Sequence, residues 1–203
     1  MTLKMKGLQK TYLVMIFSVL FSCREKPVEG QITTDNQTLI ELVKKDQDMR
    51  SGDMSGMNAG KDLEHRKQVF AMLAKGEIKT AKDKMNAALI LQHTNLSYCG
   101  EELISESVEN YYLATMLSEQ AFKEGLEDAR AMYSANLDRY LWLTVGIQKY
   151  GTQKVYVEEV DDFYWVPIDS LTSDEERVEL GVSPLKELLD MAPMNPFPKE
   201  KPQ

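Results

Sequence analysis

Residues 101–145, EELISESVENYYLATMLSEQAFKEGLEDARAMYSANLDRYLWLTV, decide the fold of this chain. Apolar residues recur there at helical spacing on both sides of Gly125, and glycine commonly ends helices. The pattern predicts one helix over Glu101–Lys123 and a second from Leu126 to about Val145. Two long amphipathic helices joined by a short turn pack antiparallel, and they indicate a mainly α fold.

Three shorter helices are predicted before this pair. The first begins at a cap on Thr34 or Asp35, the second spans about 61–75, and the third spans about 79–94. The segment 51–60 is rich in Gly, Ser and Met and is predicted to be a loop. We therefore expect about five antiparallel-packed helices.

The hydrophobic period changes from helical to alternating after the fifth helix. An alternating run, a turn at Asp161-Asp162 and a second apolar run predict a small C-terminal β-hairpin at about 154–168. We expect the hairpin to pack on the helices, because two strands alone are marginal in water. The second strand should pair Tyr164 and Val166 across from the valines that face the helices, namely Val155, Val157 and Val160.

The remaining C-terminal segments are short. Residues 173–177 indicate an acidic-capped turn, and Leu185–Met191 indicates one or two last helical turns. Residues 192–203 hold four prolines and are predicted to form a loose Pro-rich tail. The helical domain is accordingly expected to span 34–191.

The start of the chain has the pattern of a secretory signal peptide. Three lysines precede an apolar run, Tyr12–Phe21, of about ten residues, which is too short for a membrane-spanning helix. Two alternatives fit the same residues: a signal peptide with an incidental cysteine, or a buried N-terminal helix. Met5 also offers a second start site.

The segment Leu20-Phe21-Ser22-Cys23 resembles a bacterial lipobox. The resemblance implies a signal peptide over 1–22, cleavage before Cys23 and a lipid such as palmitate on that cysteine. It also implies a lipoprotein held on a bacterial membrane in the cell envelope, at a periplasmic or surface face. Residues 23–33 would then form a polar tether between lipid and domain.

Composition and net charge limit the kinds of partner that this chain can bind. The net charge is −8, and cleavage would remove three lysines and no acid. An acidic chain of this kind is not drawn to nucleic acid or to an anionic membrane surface. With Cys23 acylated, Cys99 is the one remaining thiol, so no disulfide can form within the mature chain.

The sequence contains no recognised cofactor or metal signature. His65 and His93 are its only histidines, and neither belongs to an H-E-x-x-H or C-x-x-C pattern. A phosphate loop, a dinucleotide fingerprint and a G-x-S-x-G elbow are also missing from the sequence. We therefore expect no cofactor and no metal.

Short clusters of polar residues lie at places where a helical core is expected to be apolar. They fall into four short segments, D-Q-x-x-R, Q-H, D-R and Q-x-Y-G-T-Q. The candidate ligand-binding residues among them are Asp46, Arg50, Gln92, Arg139, Gln148, Tyr150 and Gln153, and the candidate catalytic residues are His93 and Asp138.

These segments resemble an uncharacterised bacterial family of domains of unknown function. The family pattern ends in R-x-x-x-G-x-x-P-L, matched here by Arg177, Gly181, Pro184 and Leu185. The resemblance implies a mainly helical domain and no established activity. The insert at 51–60 departs from the pattern.

The clusters permit a structural and a functional interpretation. In the structural one they finish hydrogen bonds at helix ends. One of Asp138 and Arg139 then caps a neighbouring helix while the other pairs with Asp46 or Glu102. In the functional one they form one connected polar cleft near the helix-to-hairpin junction, where His93 is the one near-neutral base. An acid orients it and arginines hold an anionic group.

The leading functional prediction is a membrane-anchored envelope module that binds a peptide, glycan or partner protein. The alternative is a metal-free envelope hydrolase that uses His93 as general base.

Overall fold

The computed structural model describes residues 34–51, 59–94, 96–99, 102–105, 107–157 and 161–194. The predicted signal peptide, Cys23, the tether, most of the 51–60 insert, Val160 and most of the Pro-rich tail lie outside the described residues. The described part contains seven helices and two β-hairpins, which confirms a mainly α fold with a small C-terminal hairpin.

The elements follow one another in a simple order. They are α1 (Gln37–Asp48), α2 (Ala59–Ala74), α3 (Ala81–Leu91), β1 (Leu96–Cys99), β2 (Glu102–Ser105), α4 (Val108–Lys123), α5 (Ala129–Val145), β3 (Lys154–Val157), β4 (Asp162–Trp165), α6 (Asp174–Glu179) and α7 (Leu185–Met191). Each strand pair is antiparallel and forms its own two-stranded sheet. Within the described ranges, no helix is both long enough and apolar enough to cross a membrane.

The predicted start of the helix over Glu101–Lys123 is wrong. Glu102–Ser105 pairs with Leu96–Cys99 as a hairpin, and α4 begins only at Val108 after Ser107. Each strand has only four residues, which is too short for alternation to stand out against the helical pattern that follows.

The cap of α1 also differs from the expectation. Asn36 is the N-cap, and its side-chain oxygen accepts the N–H of Leu39 at 3.1 Å. The carboxylate of Asp35 instead accepts the hydroxyl of Thr80 at 2.7 Å. Asp83 accepts the N–H of Asn36 at 2.8 Å, so the start of α1 is bound to the start of α3.

Two separate apolar cores hold the described residues together. The larger lies among α1, α2, α3 and α4, and its fully buried members are Leu39, Val69, Ala87, Ala88, Ile90, Leu91 and Ala114. The smaller joins the end of β4 to α7 through Trp165, Ile168, Leu188 and Ala192. The hairpin β3–β4 therefore packs on the C-terminal helix.

In this hairpin one residue pair is as expected, and a further side chain holds the hairpin to α7. Val155 lies opposite Tyr164, as expected. Val166 lies beyond β4, and its N–H donates to the carbonyl of Gln153 at 3.2 Å. The anchoring side chain is Trp165, which faces away from the Val155–Tyr164 pair and whose indole N–H donates to the carbonyl of Leu188 at 2.6 Å.

Candidate functional site

A carboxylate occupies a core position of α1. Asp46 follows Leu39 and Leu42 at spacings of seven and four, so it lies on the buried face of the helix and is 0% exposed. A buried carboxylate is costly unless it is paired and hydrogen-bonded. Its partners therefore show what the sequence has placed around it.

Both histidines of the chain contact Asp46. Nδ1 of His93 lies 2.7 Å from Oδ2, and Nδ1 of His65 lies 3.3 Å from Oδ1. The contact between His93 and Asp46 is a close ion-pair distance, and Nδ1 of His93 is buried. When Nδ1 of a neutral histidine carries the proton, Nε2 is the proton acceptor of the ring.

Two arginines complete this group. Arg50 donates to Oδ1 of Asp46 at 3.1 Å, to its backbone carbonyl at 2.9 Å and to Asp62 at 2.6 Å. Arg66 donates to the backbone carbonyl of His93 at 2.7 Å. We call the six residues the histidine cluster: Asp46, Arg50, Asp62, His65, Arg66 and His93.

The cluster keeps the Asp46 carboxylate charged. Burial raises the pKa of this carboxyl, but the contact with His93, the charge of Arg50 and the contact with His65 outweigh burial and hold the pKa below its usual value. Asp46 itself does not reach solvent, whereas the side chains of Arg50 and His93 are 19% and 16% exposed. The edge of the cluster is therefore accessible.

The second predicted acid, Asp138, has a different environment. Its two oxygens accept five hydrogen bonds of 2.8–2.9 Å, from the backbone N–H groups of residues 149–152 and from the hydroxyl of Thr152. Asp138 is 0% exposed in the middle of α5, and its side chain fixes the turn that leads into β3. All of its hydrogen bonds serve this turn.

Two glutamines close the same turn. The amide of Gln148 donates to the carbonyls of Gln153 and Val166, each at 2.8 Å, and its oxygen accepts the N–H of Gln153 at 2.7 Å. Arg139 donates from Nε and Nη2 to the side-chain oxygen of Gln153 at 3.0 and 2.8 Å. We call this group the junction cluster: Asp138, Arg139, Gln148, Tyr150 and Gln153.

Tyr150 and Arg177 extend the junction cluster toward α6. The Tyr150 hydroxyl donates to Glu176 at 3.1 Å, and burial together with nearby Tyr133 and Glu176 raises its pKa far above the ordinary value. Arg177, 1% exposed, donates to the backbone carbonyls of Tyr150, Asp169 and Thr172. Arg177 therefore has a structural role, because its hydrogen bonds link three separate backbone carbonyls.

The expected single cleft is thus divided into two groups of hydrogen bonds. His93, Asp46 and Arg50 come together, and Arg139, Asp138, Gln148, Tyr150 and Gln153 come together elsewhere. Arg139 binds the Gln153 amide, and the ionic partners of Asp46 are Arg50, His65 and His93, so the expected Arg139–Asp46 pair is wrong. Gln92 is the C-cap of α3.

Sequence reasoning missed the contribution of α2 to the site. Asp62, His65, Arg66 and Val69 recur at spacings of three, one and three, so they share one helix face, and all four are buried. The burial of Val69 in the core would have indicated that the polar residues beside it also point inward. In the described part of the chain, no group of His, Cys, Asp and Glu side chains has the geometry to hold a metal ion.

Known proteins do not extend this description. No family model, no curated protein and no solved structure matches this chain.

Proposed function

We propose that this chain is a lipid-anchored cell-envelope protein whose helical domain binds a polar group of a peptide, glycan or partner protein at the histidine cluster. The carrying observation is that both histidines and Arg50 surround one buried carboxylate, while the side chains of Arg50 and His93 are partly exposed. The location rests on the charged head, the short apolar run and the Cys23 lipobox.

The charges of the cluster favour an acidic ligand group. The formal charges of Asp46 and Asp62 balance those of Arg50 and Arg66, so the cluster has no net negative charge to repel an acidic group. Arginine binds carboxylates through paired donors, and the histidine Nε2 atoms add further donors when protonated. A carboxylate carried by a peptide end or a sugar acid fits this edge.

One observation favours a second function, a metal-free hydrolase. A carboxylate against Nδ1 of a histidine leaves Nε2 as the proton acceptor, as in general-base catalysis. The junction cluster does not contribute to this chemistry, because the hydrogen bonds of Asp138 are used by the turn. Binding needs fewer groups than turnover and is therefore the leading proposal.

The anchoring part of the proposal is tested on Cys23. Mass spectrometry of the mature N-terminal peptide should find an acylated Cys23 as the first residue. Cys23→Ala should move the protein from the membrane fraction to the soluble fraction, since the acidic domain offers no basic amphipathic surface as a second anchor. A mature terminus elsewhere, or an unmodified Cys23, would refute it.

The binding part is tested with defined ligands. Calorimetric titration with N-acetylmuramic acid should give binding, while neutral N-acetylglucosamine should not bind. His93→Gln should abolish binding while the domain stays folded, because Arg50 and His65 still pair with Asp46. Lys45→Gln, on the exposed side of α1, is the matched control.

The same variants separate binding from catalysis. If the domain is a hydrolase, ester hydrolysis should be measurable and should fall in His93→Gln. Binding of the acid in the absence of any hydrolysis would support the module. Equal binding of both sugars, or no effect of His93→Gln, would contradict it.

A further inference from the structure

A groove separate from both polar clusters lies where the first turn of α4 meets the last turn of α5. Its volume is about 270 Å³, and it is lined by Val108, Glu109, Tyr112, Tyr140 and Thr144. None of these residues belongs to the histidine cluster or the junction cluster. The groove is therefore a surface feature independent of both polar clusters.

Two tyrosine rings form the walls of this groove. Their centroids are 5.3 Å apart and their planes are inclined by 48°. Tyr112 is 51% exposed and Tyr140 is half-buried, so the pair presents aromatic surface to solvent. The face of an aromatic ring carries the negative part of its quadrupole and attracts cations.

A carboxylate stands beside the rings. Glu109 is exposed and accepts the hydroxyl of Ser107 at 3.0 Å. Hydrogen bonds from its own backbone N–H and from Ser107 lower its pKa, so it stays negatively charged at neutral pH. This charge offsets the positive N-terminal end of α4 at the groove.

The last turn of α5, on the other side of the groove, is a second source of negative electrostatic potential. The groove reaches Thr144 in the last turn of α5, and that turn carries no basic residue. The negative end of the α5 dipole is therefore not neutralised within its own last turn. Aromatic faces and a helix C-terminus favour a positively charged occupant, and Glu109 offsets the positive end of α4 that would oppose it.

We propose that this groove binds a small, weakly hydrated organic cation, specifically a quaternary ammonium group. The groove is open, so a strongly hydrated lysine ammonium would keep its water, whereas methylated ammonium gains from contact with ring faces and with Val108. The site does not involve Asp46 or either histidine, and this proposal stands or falls independently of the function assigned to them.

The decisive comparison uses a charged ligand and its neutral isostere. Choline chloride is titrated into the full chain in maltoside micelles at constant ionic strength, and 3,3-dimethyl-1-butanol is titrated as the matched uncharged analogue. Proton NMR should show an upfield shift of the choline methyl signal, because the methyl groups come to lie over the ring faces. The neutral analogue should bind at least several-fold more weakly.

Variants locate the site. Tyr112→Leu and Tyr140→Leu should each weaken choline binding by about two- to five-fold, and the double variant should remove it, since an exposed cation–π contact has about this strength. Glu109→Gln should weaken binding and reduce its dependence on salt. Phe163→Leu, which replaces an aromatic side chain of similar exposure on β4, should leave binding unchanged. Circular dichroism checks that each variant is folded.

Glycerophosphocholine distinguishes free choline from a lipid head group. Binding as tight as that of choline assigns the site to a phosphocholine head group, and weaker binding assigns it to a free quaternary ammonium, because Glu109 repels the phosphate. Equal affinity for the neutral isostere would overturn the proposal. So would undiminished binding in the double tyrosine variant, which would leave the two rings as packing between α4 and α5.

Discussion

The guanidinium carbon of Arg139 lies 5.9 Å from the ring centroid of Tyr111, and the hydroxyl of Tyr111 donates to the carbonyl of Thr94 at 2.7 Å. Thr94 directly follows His93, and Tyr111 is 0% exposed. The two polar clusters therefore keep separate hydrogen bonds but share one rigid side chain between them. This arrangement makes the contribution of each cluster separately measurable.

Asp46→Asn should destabilise the domain by about 3 kcal/mol, the low end for breaking a buried ion pair, since its partners keep some access to water. The amide cannot neutralise Arg50 or accept from both histidines. Urea unfolding followed by circular dichroism measures the loss. Asp48→Asn, exposed on the same helix, should change stability by less than about 0.5 kcal/mol.

The stabilising effect of Asp46 should depend on pH with a defined sign. His93, Arg50 and His65 outweigh burial and lower its pKa in the folded state, so its contribution is fully present above the unfolded pKa of about 4. That contribution is lost as pH falls through the lower folded value. The difference in unfolding free energy between wild type and Asp46→Asn should therefore shrink below about pH 4. A difference that stays constant down to pH 2.5 would contradict the shift.

Asp138→Asn should cost about 3 kcal/mol, because an amide nitrogen would face backbone N–H groups that now donate to a carboxylate oxygen. Arg139→Met should cost only about 1–2 kcal/mol, since the partner it leaves is a neutral glutamine oxygen and its apolar stem is retained. Because Arg139 binds Gln153 and not Asp46, its loss leaves the Asp46 carboxylate with its ionic partners. Paired urea titrations test the ranking, and a reversed order would refute it.

Gly151→Ala should be among the most damaging single substitutions. A Cβ there would lie 2.5 Å from Cδ1 of Leu188 and 3.2 Å from Cδ1 of Ile168, at a φ of +103°. Gly146→Ala is the matched control, because its φ is +81° but no atom lies within 4 Å of the added Cβ. We expect about 1–2 kcal/mol for the control and clearly more for Gly151→Ala. Equal midpoints of thermal unfolding would show that Leu188 moves aside freely.

Trp165→Ala should cost about 3–5 kcal/mol, through lost packing on Leu188 and a lost indole hydrogen bond. Phe163→Ala, two residues earlier and 56% exposed, should cost far less. Thermal unfolding followed by circular dichroism at 222 nm compares them. Similar losses would mean that the hairpin is held by its strands and not by α7.

Sequence patterns predicted the elements that repeat a period over many residues. The helical spacing from Leu126 to Val145, and the turn at Asp161-Asp162 between two apolar runs, were sufficient to place α5 and the C-terminal hairpin. The strand Glu102–Ser105 was instead assigned to the helix that follows it, and Leu96–Cys99 was assigned to no element. Short strands depend on pairing, which a local pattern does not display.

The partners of the buried acids could not be predicted for a different reason. His65 lies in α2 and His93 lies just beyond the C-cap of α3, and helix spacing does not predict that both contact Asp46. Asp138 is held by backbone N–H groups, which every residue except proline possesses. Donors of that kind leave no signature in the side chains.

The division into two apolar cores has a kinetic consequence. The core around Trp165 and Leu188 is small, and it is separate from the core around Leu39 and Ile90. Amide protons that depend on the small core, such as the Trp165 N–H bound to Pro193, should exchange with deuterium through local opening. The amide protons of α3 and α4 should exchange only when the whole domain unfolds. The C-terminal segment should therefore be the first part of the domain that a protease cleaves.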